Sequence, residues 1–166
     1  MFYGASNFCQ DVSSWPNPPL VPCFMKTFHI QSSFTSDSYQ GDWCLQAANL
    51  RLNANFNMRP CSTESKQKFF LDDLNQIRFK DSPNLCMEWK KKKLFVGECV
   101  DDRSVMDKTN RFVIDEMAGT IIVTKSKNNY LVGVVPKNKY QRVRLFKAGG
   151  KVNDSVYSWS LKLIGN

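Results

Sequence analysis

Residues 74–114 read LNQIRFKDSPNLCMEWKKKKLFVGECVDDRSVMDKTNRFVI. Three short β-rich runs stand out: QIRF, LCMEW and KLFVGEC. Each is bounded by turn residues, which is the signature of strands rather than of a helix. Lys90 to Lys93 separate two apolar runs, so they cap a hairpin tip. Charged tips also keep sheet edges from pairing with other chains.

The same grammar continues on both sides. FHIQSSF and WCLQA precede the segment, and TIIV, NYLVGVV, RVRLF and YSWSLKLI follow it, with no convincing helix from Phe28 onward. The runs recur as a set. Ile30, Ile77 and Ile121 lie 47 and 44 residues apart; Cys44, Cys86 and Tyr130 lie 42 and 44 apart; Phe69, Phe112 and Trp159 lie 43 and 47 apart. Three units of about four strands each follow, roughly 28–71, 74–114 and 117–164. Propellers typically need about 4–8 blades, so three units are too few for one. An all-β fold, a β-trefoil of three four-stranded units over about 28–164, accommodates them. Its core brings equivalent apolar residues together around a pseudo-threefold axis, and Ile30/Ile77/Ile121 and Phe69/Phe112/Trp159 are the expected layers.

Composition agrees with one domain. The chain has 166 residues, 42% of them apolar and 23% charged, which is enough for a core. No apolar run approaches the ~20 residues of a spanning helix. A large multi-domain enzyme and an integral helical membrane protein are excluded. The formal charge is +8, and all of it lies late in the chain. Residues 117–166 hold nine Lys and Arg against Asp154 alone, whereas residues 27–116 hold 13 of each sign. Such asymmetry suggests an anionic partner.

Six cysteines stand at 9, 23, 44, 61, 86 and 99. An even number in a short chain suggests three disulfides and an oxidising compartment, and six cysteines allow 15 pairings. Zinc is disfavoured, because no CxxC pair exists and His29 is the one histidine.

Residues 1–15, MFYGASNFCQDVSSW, resemble one unit of the BspA-like leucine-rich repeats, matching at Met1, Phe2, Gly4, Ala5, Phe8, Gln10, Asp11, Ser13 and Trp15. Cys9 departs from the usual Asn. A lone solenoid unit cannot cover its apolar face, so the resemblance implies the end of a longer array. Residues 16–27 carry four prolines and read as a stiff linker before a domain over 28–166. Met1-Phe2-Tyr3-Gly4 lacks the start of a secretory signal, so an export signal is expected upstream.

The repeated unit resembles that of ricin B-type (R-type) lectin trefoils, whose pattern runs G-x-I, C-L-D, L-W-x-C and N-Q-x-W-x-F. The first unit supplies Cys44-Leu45-Gln46, Met58-Arg59-Pro60-Cys61 and Gln67-Lys68-Phe69. The second supplies Asn75-Gln76-Ile77, Cys86-Met87-Glu88, Val96-Gly97-Glu98-Cys99 and Asn110-Arg111-Phe112. The third supplies Gly119-Thr120-Ile121, Tyr130-Leu131-Val132, Leu145-Phe146-Lys147-Ala148 and Tyr157-Ser158-Trp159. The resemblance implies disulfides Cys44–Cys61 and Cys86–Cys99, leaving Cys9 with Cys23. Tyr130 opposite Ala148 is expected to replace the bridge of the third unit.

A sugar site of that kind uses an Asp after C-L, an aromatic ring two residues before the second Cys, and the Asn of the last motif. The first unit offers Gln46, Arg59 and Lys66; the second Glu88, Gly97 and Thr109; the third Val132, Phe146 and Val156. No unit keeps the full set, so the inherited sugar-binding positions are degenerate.

The third unit suggests another chemistry. In RVRLF, Arg142 and Arg144 alternate with Val143 and Leu145, which puts both arginines on one face of a strand. Lys137, Lys139 and Lys147 flank them, and Arg forks suit sulfate, carboxylate or phosphate. Asn153-Asp154-Ser155 is an N-glycosylation sequon. Nothing supplies a catalytic mechanism or calls for a cofactor or metal: His29 has no motif partner, and Asp72-Asp73 and Asp101-Asp102 read as solvated turns. The expected protein is a non-catalytic, extracellular or cell-surface lectin-like module for glycans, anionic or sulfated ones first, within a longer precursor. The competing expectation is a structural or protein-interaction cap without a glycan ligand. Nucleic acid is the disfavoured partner.

Overall fold

The computed structural model describes residues 26–32, 41–101, 108–125, 128–135, 142–148 and 158–164. The leucine-rich segment 1–15, all but the end of the linker 16–27, Cys9, Cys23, Lys137, Lys139, Val156 and Asn153 lie outside them.

The described residues form twelve strands, four per unit. The first unit holds β1 (Phe28–Ser32), β2 (Trp43–Ala47), β3 (Phe56–Pro60) and β4 (Phe69–Leu71). The second holds β5 (Ile77–Phe79), β6 (Ser82–Lys90), β7 (Lys93–Glu98) and β8 (Val113–Asp115). The third holds β9 (Thr120–Lys125), β10 (Asn128–Val135), β11 (Arg142–Lys147) and β12 (Trp159–Leu163). The chain is a β-trefoil, as its threefold sequence pattern implies.

Three sets of pairings build it. Within each unit the first strand pairs the second: β1–β2, β5–β6 and β9–β10. The middle strands of each unit form hairpins β2–β3, β6–β7 and β10–β11. The outer strands join units: β12 pairs β1, β4 pairs β5, and β8 pairs β9. Each unit also closes on itself at one equivalent point. Phe28 pairs with Phe69, the Phe112 amide donates to the Asn75 carbonyl (3.0 Å), and the Trp159 amide donates to the Gly119 carbonyl (2.7 Å). The hairpins interlock in a ring. The Val96 amide donates to the Ala54 carbonyl, the Leu145 amide to the Lys92 carbonyl, and Arg142 pairs with Asn57.

The six residues expected in the core are there, within a larger apolar cluster. Ile30, Ile77 and Ile121 are buried, as are Phe69, Phe112 and Trp159, and all six belong to one apolar cluster. Phe79 packs between Phe69 and Phe56, with ring centroids 5.1 and 5.9 Å away. Each such ring, fully buried, adds about 1.5–3 kcal/mol by leaving water. The disulfides Cys44–Cys61 and Cys86–Cys99 tie the hairpins of the first two units to the segments after them.

The third unit departs from its expected alignment by one residue. Leu45 and Met87 are buried opposite Met58 and Val96, and the buried pairs in the third hairpin are Val132 with Leu145 and Val134 with Val143, of which the first is the equivalent one. Leu131, not Tyr130, therefore takes the place of Cys44 and Cys86. It lies opposite Phe146, where they lie opposite Arg59 and Gly97. A one-residue shift on a strand exchanges its two faces, so the Tyr130–Ala148 replacement of the bridge does not hold.

Candidate functional site

In the first unit the strands bring the three sequence-expected residues together. Gln46 on β2, Arg59 on β3 and Lys66 in the 3-10 turn Ser65–Gln67 line one cavity of about 520 Å³, with Asn57, Ser62 and Glu64. Gln46 and Asn57 are a cross-strand pair, which sets their side chains on one face. No sequence motif marks Asn57. Its signal is an Asn within a strand, a residue type depleted there.

A buried glutamine holds this wall. Gln67 donates from Nε2 to Gln46 Oε1 (2.7 Å) and to the Pro60 carbonyl (3.0 Å), and its Oε1 accepts from the Ser62 amide (2.8 Å). With its oxygen engaged, Gln46 offers the cavity an NH2 donor. Arg59 and Lys66 add positive donors. Lys66 Nζ lies 2.9 Å from Glu64 Oε2, and that pair is open to solvent. The wall thus sets the donors of Gln46, Arg59 and Lys66 beside one carboxylate, Glu64.

The second unit is closed by its own side chains. Glu88 Oε1 is 3.3 Å from Thr109 Oγ1 and 2.9 Å from Lys90 Nζ. Its side chain lies over Gly97: a Cβ there would be 2.5 Å from Glu88 Oε2 and 2.9 Å from Glu88 Cβ. The space that an aromatic platform would occupy holds Glu88 instead. Asn110 Nδ2 donates to the Glu98 carbonyl (2.9 Å), repeating the Gln67-to-Pro60 bond of the first unit.

In the third unit Phe146 is half-buried on β11. The register places Gly133, not Val132, at the position of Gln46 and Glu88, so no polar side chain stands there. Arg144 and Lys147 are exposed, and Arg142 begins β11 opposite Asn57. Arg144 shares a second cavity with Lys93, from the lysine run of the second unit.

Two expectations about acid–base groups resolve differently. Asp72 is not in a solvated turn: it is 8% exposed. Its Oδ1 accepts from the amides of Leu74 (2.9 Å) and Gln76 (2.7 Å). Its Oδ2 accepts from Gln76 Nε2 (2.8 Å) and Arg78 Nε (2.7 Å). Arg78 also reaches Asp101 Oδ1 (2.7 Å), so this network pins the junction of the first two units. His29 on β1 is half-buried, and its Nε2 has no hydrogen-bond partner among the described residues. Burial, then the charge of Lys68, pushes its pKa below the ordinary histidine value.

No family model and no curated protein matches the chain. Solved structures do. The β-trefoil lectin of the Vibrio vulnificus hemolysin/cytolysin, with N-acetyl-D-lactosamine bound, is 16% identical with a TM-score of 0.67, over 85% of this chain and 96% of that one. The C-half of an earthworm R-type lectin in complex with GalNAc is 12% identical (TM-score 0.63; 84% and 99% covered). A mutant of the earthworm lectin C-terminal domain in complex with 6'-sialyllactose is 13% identical (TM-score 0.65; 84% and 99% covered). At such identities the likeness is one of fold: the chain is a β-trefoil of the architecture that these lectins have.

Proposed function

We propose that the chain is a non-catalytic carbohydrate-binding module, and that its first-unit cavity takes acidic saccharides. The observation that carries this reading is the convergence of Gln46, Asn57, Arg59 and Lys66 on one open cavity of about 520 Å³. Sugar hydroxyls and a ligand carboxylate can accept from a wall of donors, and charge-assisted bonds from Arg and Lys are the stronger ones. Departure from the R-type set then has a chemical meaning. Replacing an acceptor carboxylate by a glutamine with its oxygen engaged exchanges preference for a neutral sugar for preference for a negatively charged one. Two disulfides among the described residues favour an oxidising, extracellular setting.

The test is a glycan array with neutral, sialylated, uronic and sulfated members, at physiological salt. Carboxylate-bearing glycans are expected to be retained, and Arg59→Ala with Lys66→Ala to lose them by tenfold or more. Retention unchanged in that variant would remove the first-unit cavity as the site.

A second reading, a protein-interaction cap, draws on one feature: none of the described residues that line this cavity is aromatic, so none of them supplies the stacking platform common in sugar sites. A blank array from folded protein would favour it.

A further inference from the structure

The three interlocked hairpins enclose a second cavity of about 330 Å³, lined by Asn55, Phe56, Asn57, Lys93, Leu94, Val143 and Arg144. Its position follows from the pseudo-threefold symmetry. Phe56, Leu94 and Val143 are equivalent residues of β3, β7 and β11, and each is buried (5, 2 and 4% exposed). They form an apolar floor where the units meet. Asn55 and Lys93 are equivalent positions one residue before that floor, and Asn57 and Arg144 one residue after it.

Two features that are far apart in sequence become one site here. Lys93 closes the lysine-rich hairpin of the second unit, and Arg144 belongs to the alternating strand of the third. The bond from the Leu145 amide to the Lys92 carbonyl (3.1 Å) locks the two together. Both cations are exposed, and neither is paired with a carboxylate among the described residues. The rim also carries the carboxamides of Asn55 and Asn57, whose NH2 groups can donate to ligand oxygens; Asn57 Oδ1, an acceptor for a sugar hydroxyl, has no hydrogen-bond partner among the described residues. An apolar floor under amides, with two exposed cations from different units, suits a small ring that carries a tetrahedral oxyanion. Apolar floors take the hydrophobic face of a pyranose. Arg forks pair two oxygens of a sulfate, and Lys supplies a point charge.

We propose that this cavity on the pseudo-threefold axis is a binding site for a sulfated saccharide, held by Arg144 and Lys93 over Phe56, Leu94 and Val143. It shares Asn57 with the first-unit cavity, but its floor and both cations are its own, so it does not depend on that reading.

The test titrates the full disulfide-bonded chain with a heparin tetrasaccharide and with its desulfated counterpart by calorimetry. The sulfated tetrasaccharide is expected to bind, and the desulfated one to bind at least tenfold more weakly. The Lys93→Gln/Arg144→Gln variant should lose tenfold or more, and Lys80→Gln, an exposed cation that lines neither cavity, should bind as the unaltered chain does. Both substituted side chains are exposed, and a thermal melt of the variant confirms that it is folded. A second variant, Val143→Phe, fills the cavity while keeping both cations, and should also weaken binding. No binding of the tetrasaccharide, or equal binding by the double variant, overturns the proposal. So does a loss that Lys80→Gln alone reproduces, which would mean that overall charge, not this cavity, holds the ligand.

Discussion

The side-chain amide of Gln67 lies 2.7 Å from the carboxamide oxygen of Gln46, and Gln67 is wholly buried. This contact joins the core to the candidate site. Gln67 opens the last motif of the first unit, two residues before the core ring Phe69, and its amide decides which end of Gln46 faces the cavity. A residue placed for folding thus sets the polarity of a binding wall.

Gln67→Ala should therefore act on both. It strands the Ser62 amide and the Pro60 carbonyl and removes the anchor of Gln46. The expected loss is about 1–2 kcal/mol: of the partners left behind only Gln46 is buried, and a buried polar group left unpaired costs about 1–3 kcal/mol. Urea denaturation with the disulfides intact would measure it. A loss below about 0.5 kcal/mol, within the usual range of a surface substitution, would show that the network is not structural.

Much of the fold is legible in the sequence because it is carried by spacing. Ile30, Ile77 and Ile121 recur at nearly constant intervals, since each fills the same place in a repeated unit. The one misplacement has a physical cause as well. Tyr130 and Leu131 are both large and apolar, so composition cannot say which of them faces the core. Only the pairing of Val132 with Leu145 decides. The site was partly legible. Gln46, Arg59 and Lys66 come from motif positions, whereas Asn57 becomes visible only when strand register sets it beside Gln46. The meeting of Lys93 with Arg144 could not be read at all, because it depends on how the hairpins interlock.

The hairpin between β6 and β7 carries removable strain. Lys91 and Lys92 have φ of 47° and 62°, the left-handed region that favours Asn and Gly in two-residue turns. A non-glycine residue there costs about 1–2 kcal/mol. Lys91→Asn with Lys92→Gly should raise stability by about 1 kcal/mol, read as a higher urea midpoint with an unchanged slope. A lower midpoint would mean that the two lysine side chains stabilise the tip.

Gly119 predicts the opposite outcome. Its φ is +62°, and a Cβ there would come within 2.9 Å of the Trp159 carbonyl oxygen, which is backbone and cannot turn aside. Gly119→Ala should lose about 2 kcal/mol, from the left-handed conformation together with the clash. The equivalent Asn75 has φ of 62° and already carries a Cβ, so Asn75→Ala is the matched comparison and should lose less. Equal losses in both variants would show that the close approach to Trp159 adds nothing.

His29 makes stability depend on pH. Its ring is half-buried on β1, its Nε2 lacks a hydrogen-bond partner among the described residues, and Lys68 lies near enough to oppose a second positive charge. Burial first, and Lys68 second, lower its pKa in the folded chain below the ordinary value of 6.5. The unfolded chain then binds a proton that the folded chain refuses. Between the two values the unfolded state holds more protons, so stability rises with pH. The contribution is complete above about pH 6.5 and is lost progressively as pH falls from there towards the folded value. Denaturation midpoints at closely spaced pH values below 7 should show this slope, and His29→Gln should flatten it. An identical slope in His29→Gln would assign the dependence to carboxylates, and a slope of opposite sign would mean that the folded state stabilises the imidazolium.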